Sequence, residues 1–182
     1  MRKYLLVLAV LFASISLHAQ LSVNKLVGKN SGNYRPGLGL FATWEFPVNE
    51  EGSQSITLDL MDLVVFPEED GEPYFTSPNG RSYFSMKLGY KYIFSETKTG
   101  FYLKPALGYC KVMNMTAFEE VDHKDGLAAA IEGGYSLEVG ERGNAFSFGI
   151  KYETDRAGAE HTLSSVGFRI AYSFGMFGGK NY

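Results

Sequence analysis

Large apolar side chains recur at every second position through most of this chain. From Val166 to Met176 the apolar positions are Val166, Phe168, Ile170, Tyr172, Phe174 and Met176, and between them lie Gly167, Arg169, Ala171, Ser173 and Gly175. A period of two describes a β-strand with one bulky apolar face and one small or polar face. Six earlier segments repeat the pattern. Leu38, Leu40, Ala42, Trp44 and Phe46 stand opposite Gly37, Gly39, Phe41, Thr43 and Glu45. Ile56, Leu58 and Leu60 stand opposite Ser55, Thr57 and Asp59, and the run from Phe84 to Phe94 opposes Tyr83, Ser85, Lys87, Gly89 and Lys91. Parity then flips: Phe101, Leu103, Pro105, Leu107 and Tyr109 oppose Tyr102, Lys104, Ala106, Gly108 and Cys110. Leu127, Ala129, Ile131, Tyr135, Leu137 and Val139 follow, and then Phe146, Phe148, Ile150 and Tyr152.

The bulky side is too large to fill the inside of a narrow barrel, so it faces outward, and an outward apolar side is a lipid-facing one. The connections alternate in length. Short turns lie at Glu96 to Gly100 and Gly140 to Asn144; longer loops lie at Pro67 to Gly80, Ala117 to Gly126 and Asp155 to His161. Transmembrane barrels have short periplasmic turns, long external loops and an even strand number. The Leu38 strand therefore runs downward, and an upward strand must precede it, for which Leu21 to Val27 is the candidate. The pattern predicts an all-β, eight-stranded antiparallel up-and-down transmembrane β-barrel. Asp62 falls on the apolar parity of its strand; either it lies near the external interface, where a charge costs little, or a β-bulge near Met61 re-aims it.

Residues 1–19 read as a secretory signal peptide. Arg2 and Lys3 precede an apolar run from Tyr4 to Leu17, and Ala19 offers a small residue at the cleavage site. The run is shorter than the ~20 residues of a membrane-spanning helix. The mature chain, 20–182, is one domain. Losing Arg2 and Lys3 moves the net charge from −3 to −5, which argues against nucleic acid as a partner. Cys110 is the only cysteine, so no internal disulfide can form. No apolar run after residue 19 is long enough for a helical span, which leaves a closed barrel as the way to satisfy the backbone in lipid.

The inward parity carries charge of both signs: Glu45, Asp59, Glu132, Glu138 and Glu153 against Lys87, Lys91, Lys104, Lys151 and Arg169. Hairpin geometry places Glu132 opposite Lys151, Lys104 close to Glu138, and Asp59 near Lys87. Balanced charge predicts an interior ion-pair network that plugs the barrel, whereas a ring of one sign would mark a selective channel. Aromatic residues cluster toward the periplasmic strand ends: Trp44, Phe46, Tyr90, Tyr92, Phe94, Phe101, Tyr172 and Phe174. They read as an interfacial girdle. Glu68, Glu69, Asp70 and Glu72 in one loop are a candidate external cation contact, and Glu119, Glu120, Asp122 and Asp125 beside His123 form a second acidic cluster. Neither matches the calcium-loop spacing, and solvated loops are the default reading.

No phosphate-binding loop, metal-ligand motif or cofactor signature is present. Some lipid A deacylases resemble this chain in size and architecture and use a His and a Ser two apart on one strand face. Here His161 is followed by Ser164, on the opposite face, and Ser165, one repeat too far; Glu160 points away. No nucleophile–base–orienter set survives that geometry. Cys110 faces inward among small residues and reads as packing.

On its alternating strands and the aromatic-rich final strand ending in Phe174 or Tyr182, the chain resembles the small outer-membrane β-barrel (porin-like) family of Gram-negative bacteria over residues 20–182. The resemblance implies outer-membrane lipid as surroundings and insertion by the outer-membrane assembly machinery, which recognises such a final strand. Phe177 breaks the alternation and a tail, Gly178 to Tyr182, follows. The leading expectation is a non-enzymatic outer-membrane protein with a side-chain-filled interior, serving envelope integrity or surface interaction through acidic external loops, its external ligand unknown. The rival readings are a narrow porin for small solutes, a lipid A-modifying barrel enzyme, and a soluble exported barrel of the lipocalin type. Against the last stand the inward charges, the outward aromatics and the lack of a Gly-x-Trp signature before Trp44.

Overall fold

A computed structural model describes residues 16–28, 34–65, 80–115, 123–139, 144–157 and 161–174. The strands are β1 (Ser16–Val27), β2 (Gly37–Pro47), β3 (Gln54–Val65), β4 (Gly80–Ile93), β5 (Gly100–Met115), β6 (His123–Val139), β7 (Asn144–Ala157) and β8 (His161–Phe174). Each pairs antiparallel with its sequence neighbours, and β1 pairs with β8 to close the barrel. The eight-stranded barrel predicted from the alternation is the observed fold. The described residues contain no helix.

Register fixes the barrel's shape. Partners followed around the ring from Leu17 run through Trp44, Leu58, Leu88, Leu107, Ala129, Thr154 and Ser164 and return to β1 at Val27, ten residues further on. Eight strands with that stagger tilt by roughly 40° and leave a lumen that side chains can fill. Period two then separates the faces. Large outward residues such as Leu40, Leu107 and Leu127 are exposed, whereas Thr43, Lys87, Glu132 and Arg169 on the inward parity are buried.

The strands are longer than their alternation indicates. β1 begins at Ser16, well before Leu21, and its first residues pair with β2 and β8: Leu17 lies opposite both Trp44 and Phe174. The connection expected over Asp155 to His161 shrinks to residues 158–160, because β7 runs on to Ala157 and β8 starts at His161. His123 and Asp125 likewise belong to β6. The Asp62 register is unbroken, opposite Leu40 on one side and Phe84 on the other. No bulge re-aims it; Asp62 is exposed near the end of β3 and accepts a hydrogen bond from Ser82 Oγ at 2.7 Å.

Pro105 leaves a mark on the ladder. Pairing of β4 with β5 passes from Gly89–Ala106 to Tyr92–Leu103 and skips the two positions between, since proline has no N–H to donate. The β2–β3 turn is held by Asn49, whose Oδ1 accepts from the Gln54 N–H (2.9 Å) and whose Nδ2 donates to Ser53 Oγ (2.8 Å). Gly52 supplies the left-handed residue of that turn at φ 69°.

Candidate functional site: the filled lumen

Two glutamates organise the lumen. Glu132 on β6 accepts from Arg169 Nη1 of β8 (2.5 Å), from the Tyr102 hydroxyl of β5 (2.5 Å), and faces Lys104 Nζ of β5 at 3.3 Å. Lys104 also bonds Asp59 Oδ2 of β3 at 2.8 Å, and Asp59 Oδ1 accepts from Thr43 Oγ1 at 2.7 Å. Glu153 on β7 is the second centre. It pairs with Lys87 of β4 and with Lys151 (2.5 Å), two residues back on its own strand. Lys87 donates further to Ser85 Oγ at 2.6 Å. Nearer the short turns, Lys91 pairs with Glu45 at 2.9 Å. A buried carboxylate between two cations has its charge compensated, without which burial would cost several kcal/mol, on the order of the effective penalty per ion.

Four of the six ion pairs named are chords across the lumen, joining strands that are not neighbours. The register does set Glu132 opposite Lys151 and Asp59 opposite Lys87. Yet Lys151 bonds Glu153, and Asp59 bonds Lys104. Lys104–Glu132 is the one ion pair among those named that joins register partners on adjacent strands, as the Thr43–Asp59 hydrogen bond also does. Lysine and arginine stems span a lumen this narrow, so the nearest neighbour on the ladder need not be the partner.

Glu138 is not where the sequence reading put it. Its register partner is Ala145, it is exposed at the short-turn end of β6, and its backbone N–H donates to Thr99 Oγ1 at 2.9 Å. Lys104 therefore meets Glu132 and Asp59, with Glu138 six residues further along β6. Inward parity holds at Glu138, but the strand has reached the rim, where water replaces the lumen. Asp155 takes the fifth acidic place. It is inward and buried on β7, in a stretch that the loop rhythm alone predicts to be a connection.

Above the charges sits an apolar plug. Leu26, Phe41, Met61, Leu63, Val65 and Tyr83 are buried together, with Tyr34, Val112 and Leu163 packed against them. Along β3 the inward residues change from Ser55, Thr57 and Asp59 to Met61, Leu63 and Val65, so the lumen is polar toward the short turns and apolar toward the long connections. The two layers meet at Lys151, whose Nζ lies 4.2 Å from the Phe41 ring centroid and donates to Met61 Sδ at 3.0 Å. The apolar parity of Met61, Leu63 and Val65 is legible in the sequence, but only once the strand is known to reach Val65.

Glycines make room for the larger members. A Cβ on Gly149 would stand 2.6 Å from the Tyr102 hydroxyl, and one on Gly167 would stand 1.9 Å from Asn24 Oδ1. Tyr102 thus lies in a notch that lets its hydroxyl reach Glu132. At the short-turn mouth a cavity of about 50 Å³ remains, lined by Glu45, Ser55, Lys91, Lys98, Ser136 and Ser173.

The aromatic positions lie outward near the short turns. Tyr90, Tyr92, Phe94 and Phe101 are exposed and Trp44, Phe46 and Tyr172 half-buried; the Phe174 side chain lies outside the described residues. Tyr92 meets Phe94 edge-on at 5.0 Å, and Phe101 meets Tyr135 at 5.2 Å, with Phe148 stacked on Tyr135 at 5.9 Å. Tyr135 and Phe148 extend the cluster beyond the residues singled out from sequence. Glu68, Glu69, Asp70 and Glu72, the segment 1–15, and the tail after Phe174 lie outside the described residues. Ser164, one of the two serines after His161, bonds Thr154 Oγ1 at 3.2 Å, and Ser165 is buried.

No family model and no curated protein matches the chain. Solved structures do. Neisserial surface protein A superposes with a TM-score of 0.70 at 10% identity, covering 88% of this chain and 96% of that one. Ail, the attachment invasion locus protein of Yersinia pestis, solved in complex with the heparin analogue sucrose octasulfate, gives 0.51 at 16% identity over 88% and 97%. The outer membrane protein Ail in a phospholipid bilayer nanodisc gives 0.51 at 14% identity over 86% and 99%. With its closed ring of eight antiparallel strands, the chain has the fold of the small outer-membrane β-barrels.

Proposed function

We propose that this chain is a non-enzymatic integral protein of the bacterial outer membrane. Its barrel is closed by its own side chains, and it serves envelope integrity or surface interaction through its longer connections. The observation that carries this reading is the lumen: two layers, one of ion pairs and one apolar, occupy the space a solute would need. The outside supports it. Leu40, Leu88, Leu107, Leu127 and Ile150 are each more than 60% exposed, and an apolar surface of that extent around a ring is matched by lipid, not water.

Orientation follows from connection length. The links 48–53, 94–99 and 140–143 lie at one end of the barrel, and 28–36, 66–79 and 116–122, the three longest, lie at the other together with the three-residue link 158–160. The longer set belongs outside the cell. The acidic residues 68–72 and 119–125 then give the external end a negative character, suited to a cationic partner and unsuited to a polyanion. Export by a signal over residues 1–19 and recognition of the aromatic final strand by the assembly machinery complete the proposal.

The test is fractionation joined to gel mobility. The protein is expected in the outer-membrane fraction, migrating differently before and after boiling as closed barrels do. A soluble protein with one mobility would overturn the reading.

A further inference from the structure

Among the described residues of the lumen, Asp155 is the acid that the ion pairs leave out. It is buried, its Oδ1 meets no hydrogen-bond donor, and no described cation pairs with it. It stands two residues beyond Glu153 on the same inward face of β7, within hydrogen-bonding reach of that carboxylate. Glu153 has already taken the nearby cations. Lys87 Nζ and Ser85 Oγ (3.2 Å) donate to its Oε1, and Lys151 Nζ donates to its Oε2 at 2.5 Å. Both lysines are held elsewhere too, Lys87 by Ser85 Oγ and Lys151 by Met61 Sδ.

The neighbouring strands give Asp155 no substitute. Its register partners are Ala128 on β6 and Leu163 on β8, and Leu163 packs against the apolar plug. β5 turns buried Cys110 toward it, and β4 contributes Lys87. Lys124 of β6 and His161 of β8 lie farther toward the long connections, opposite Val112 and Ala157. Two carboxylates in contact at the border of an apolar layer repel one another unless a proton lies between them. A buried charge without a partner is costly as well. We infer that Glu153 and Asp155 share one proton, carried on Asp155 and donated in a hydrogen bond to Glu153, and that this proton is a pH-sensitive latch between the ion-pair layer and the plug. Alkali transfers the proton to solvent and leaves two carboxylates face to face beneath the plug. In the unfolded chain Asp155 is an ordinary solvated carboxyl and gives up its proton first, so stability falls as pH rises. The inference concerns the folded barrel and stands apart from the proposed function.

Infrared spectroscopy of the folded full chain in phospholipid vesicles reads the proton through the C=O stretch of a protonated carboxyl. At neutral pH the unaltered protein should show such a band, and it should shift when aspartate is isotope-labelled at its side-chain carboxyl carbon. Asp155→Asn should remove the band. Glu153→Gln should remove it too, because Asp155 then inherits Lys87 and Lys151 and ionises. Urea unfolding in the same vesicles reads the consequence: the midpoint of Asp155→Asn should match that of the unaltered protein at about pH 5 and exceed it increasingly toward about pH 9. A heat-dependent gel shift verifies that each variant is folded, and the labelled unaltered protein needs no variant at all. Absence of a label-sensitive band, or a midpoint difference that does not change with pH, would overturn the inference. A band that survives Glu153→Gln would show that burial alone holds the proton and would overturn the shared pair.

Discussion

Glu132 is the residue on which the lumen depends most. Arg169, Lys104 and Tyr102 all converge on its carboxylate. Glu132→Gln removes the charge, taking from buried Arg169 its carboxylate partner and from Lys104 one of its two. It is expected to cost about 3–5 kcal/mol, the penalty for breaking a buried pair from one side, measured by urea unfolding in phospholipid vesicles. Glu138→Gln, at the exposed rim, should stay within about 0.5 kcal/mol. Gly149 offers a sharper check. Gly149→Ala brings a methyl against the Tyr102 hydroxyl and should cost about 1–3 kcal/mol by overpacking. In a Tyr102→Phe background that cost should fall, and a double-mutant cycle reads the difference. The interior charges were legible in sequence because parity alone says which way a strand residue points. Their partners were not, because a lysine stem reaches strands two or three away. Glu138 and Asp155 exchanged places for a related reason: parity tells inward from outward but not lumen from rim.

The strands are where pattern and structure agree best, and their ends are where they part. Alternation marks the stretch in which one face meets lipid and the other meets lumen. Beyond it the ladder continues without a change of environment to announce it, which hid β7 beyond Thr154 and the Met61–Val65 part of the plug. The outward face should show this in its tolerance. Leu88→Arg, in the middle of the exposed band, should destabilise by about 2–4 kcal/mol, whereas Asp62→Asn near the end of β3 should cost about 1 kcal/mol or less. Unfolding in bilayers compares the two directly. β1 poses a separate question, since Ser16 to Ala19 lie within its ladder. Cleavage after Ala19 would leave Gln20–Val27 as the mature strand. N-terminal sequencing of the exported protein is expected to begin at Gln20; a start before Ser16 would contradict the predicted signal.

The whole molecule is a ring whose two sides solve different problems. Outside, large apolar side chains are exposed around the ring, and an aromatic cluster marks the short-turn end. Inside, among the described residues, Glu45, Asp59, Glu132 and Glu153 pair with Lys87, Lys91, Lys104, Lys151 and Arg169 within a space too narrow to hydrate them singly, and Asp155 is buried on the same inward face. Leu26, Phe41, Met61, Leu63, Val65 and Tyr83 then stop the lumen toward the long connections. On the function proposed here, a barrel built in this way presents a surface and does not transmit solutes. Single-channel recording of the purified, folded protein in a planar bilayer tests that most directly. The unaltered barrel should give a flat baseline at applied voltages that keep the bilayer intact. Stable, reproducible conductance steps that scale with salt concentration would contradict the closed lumen.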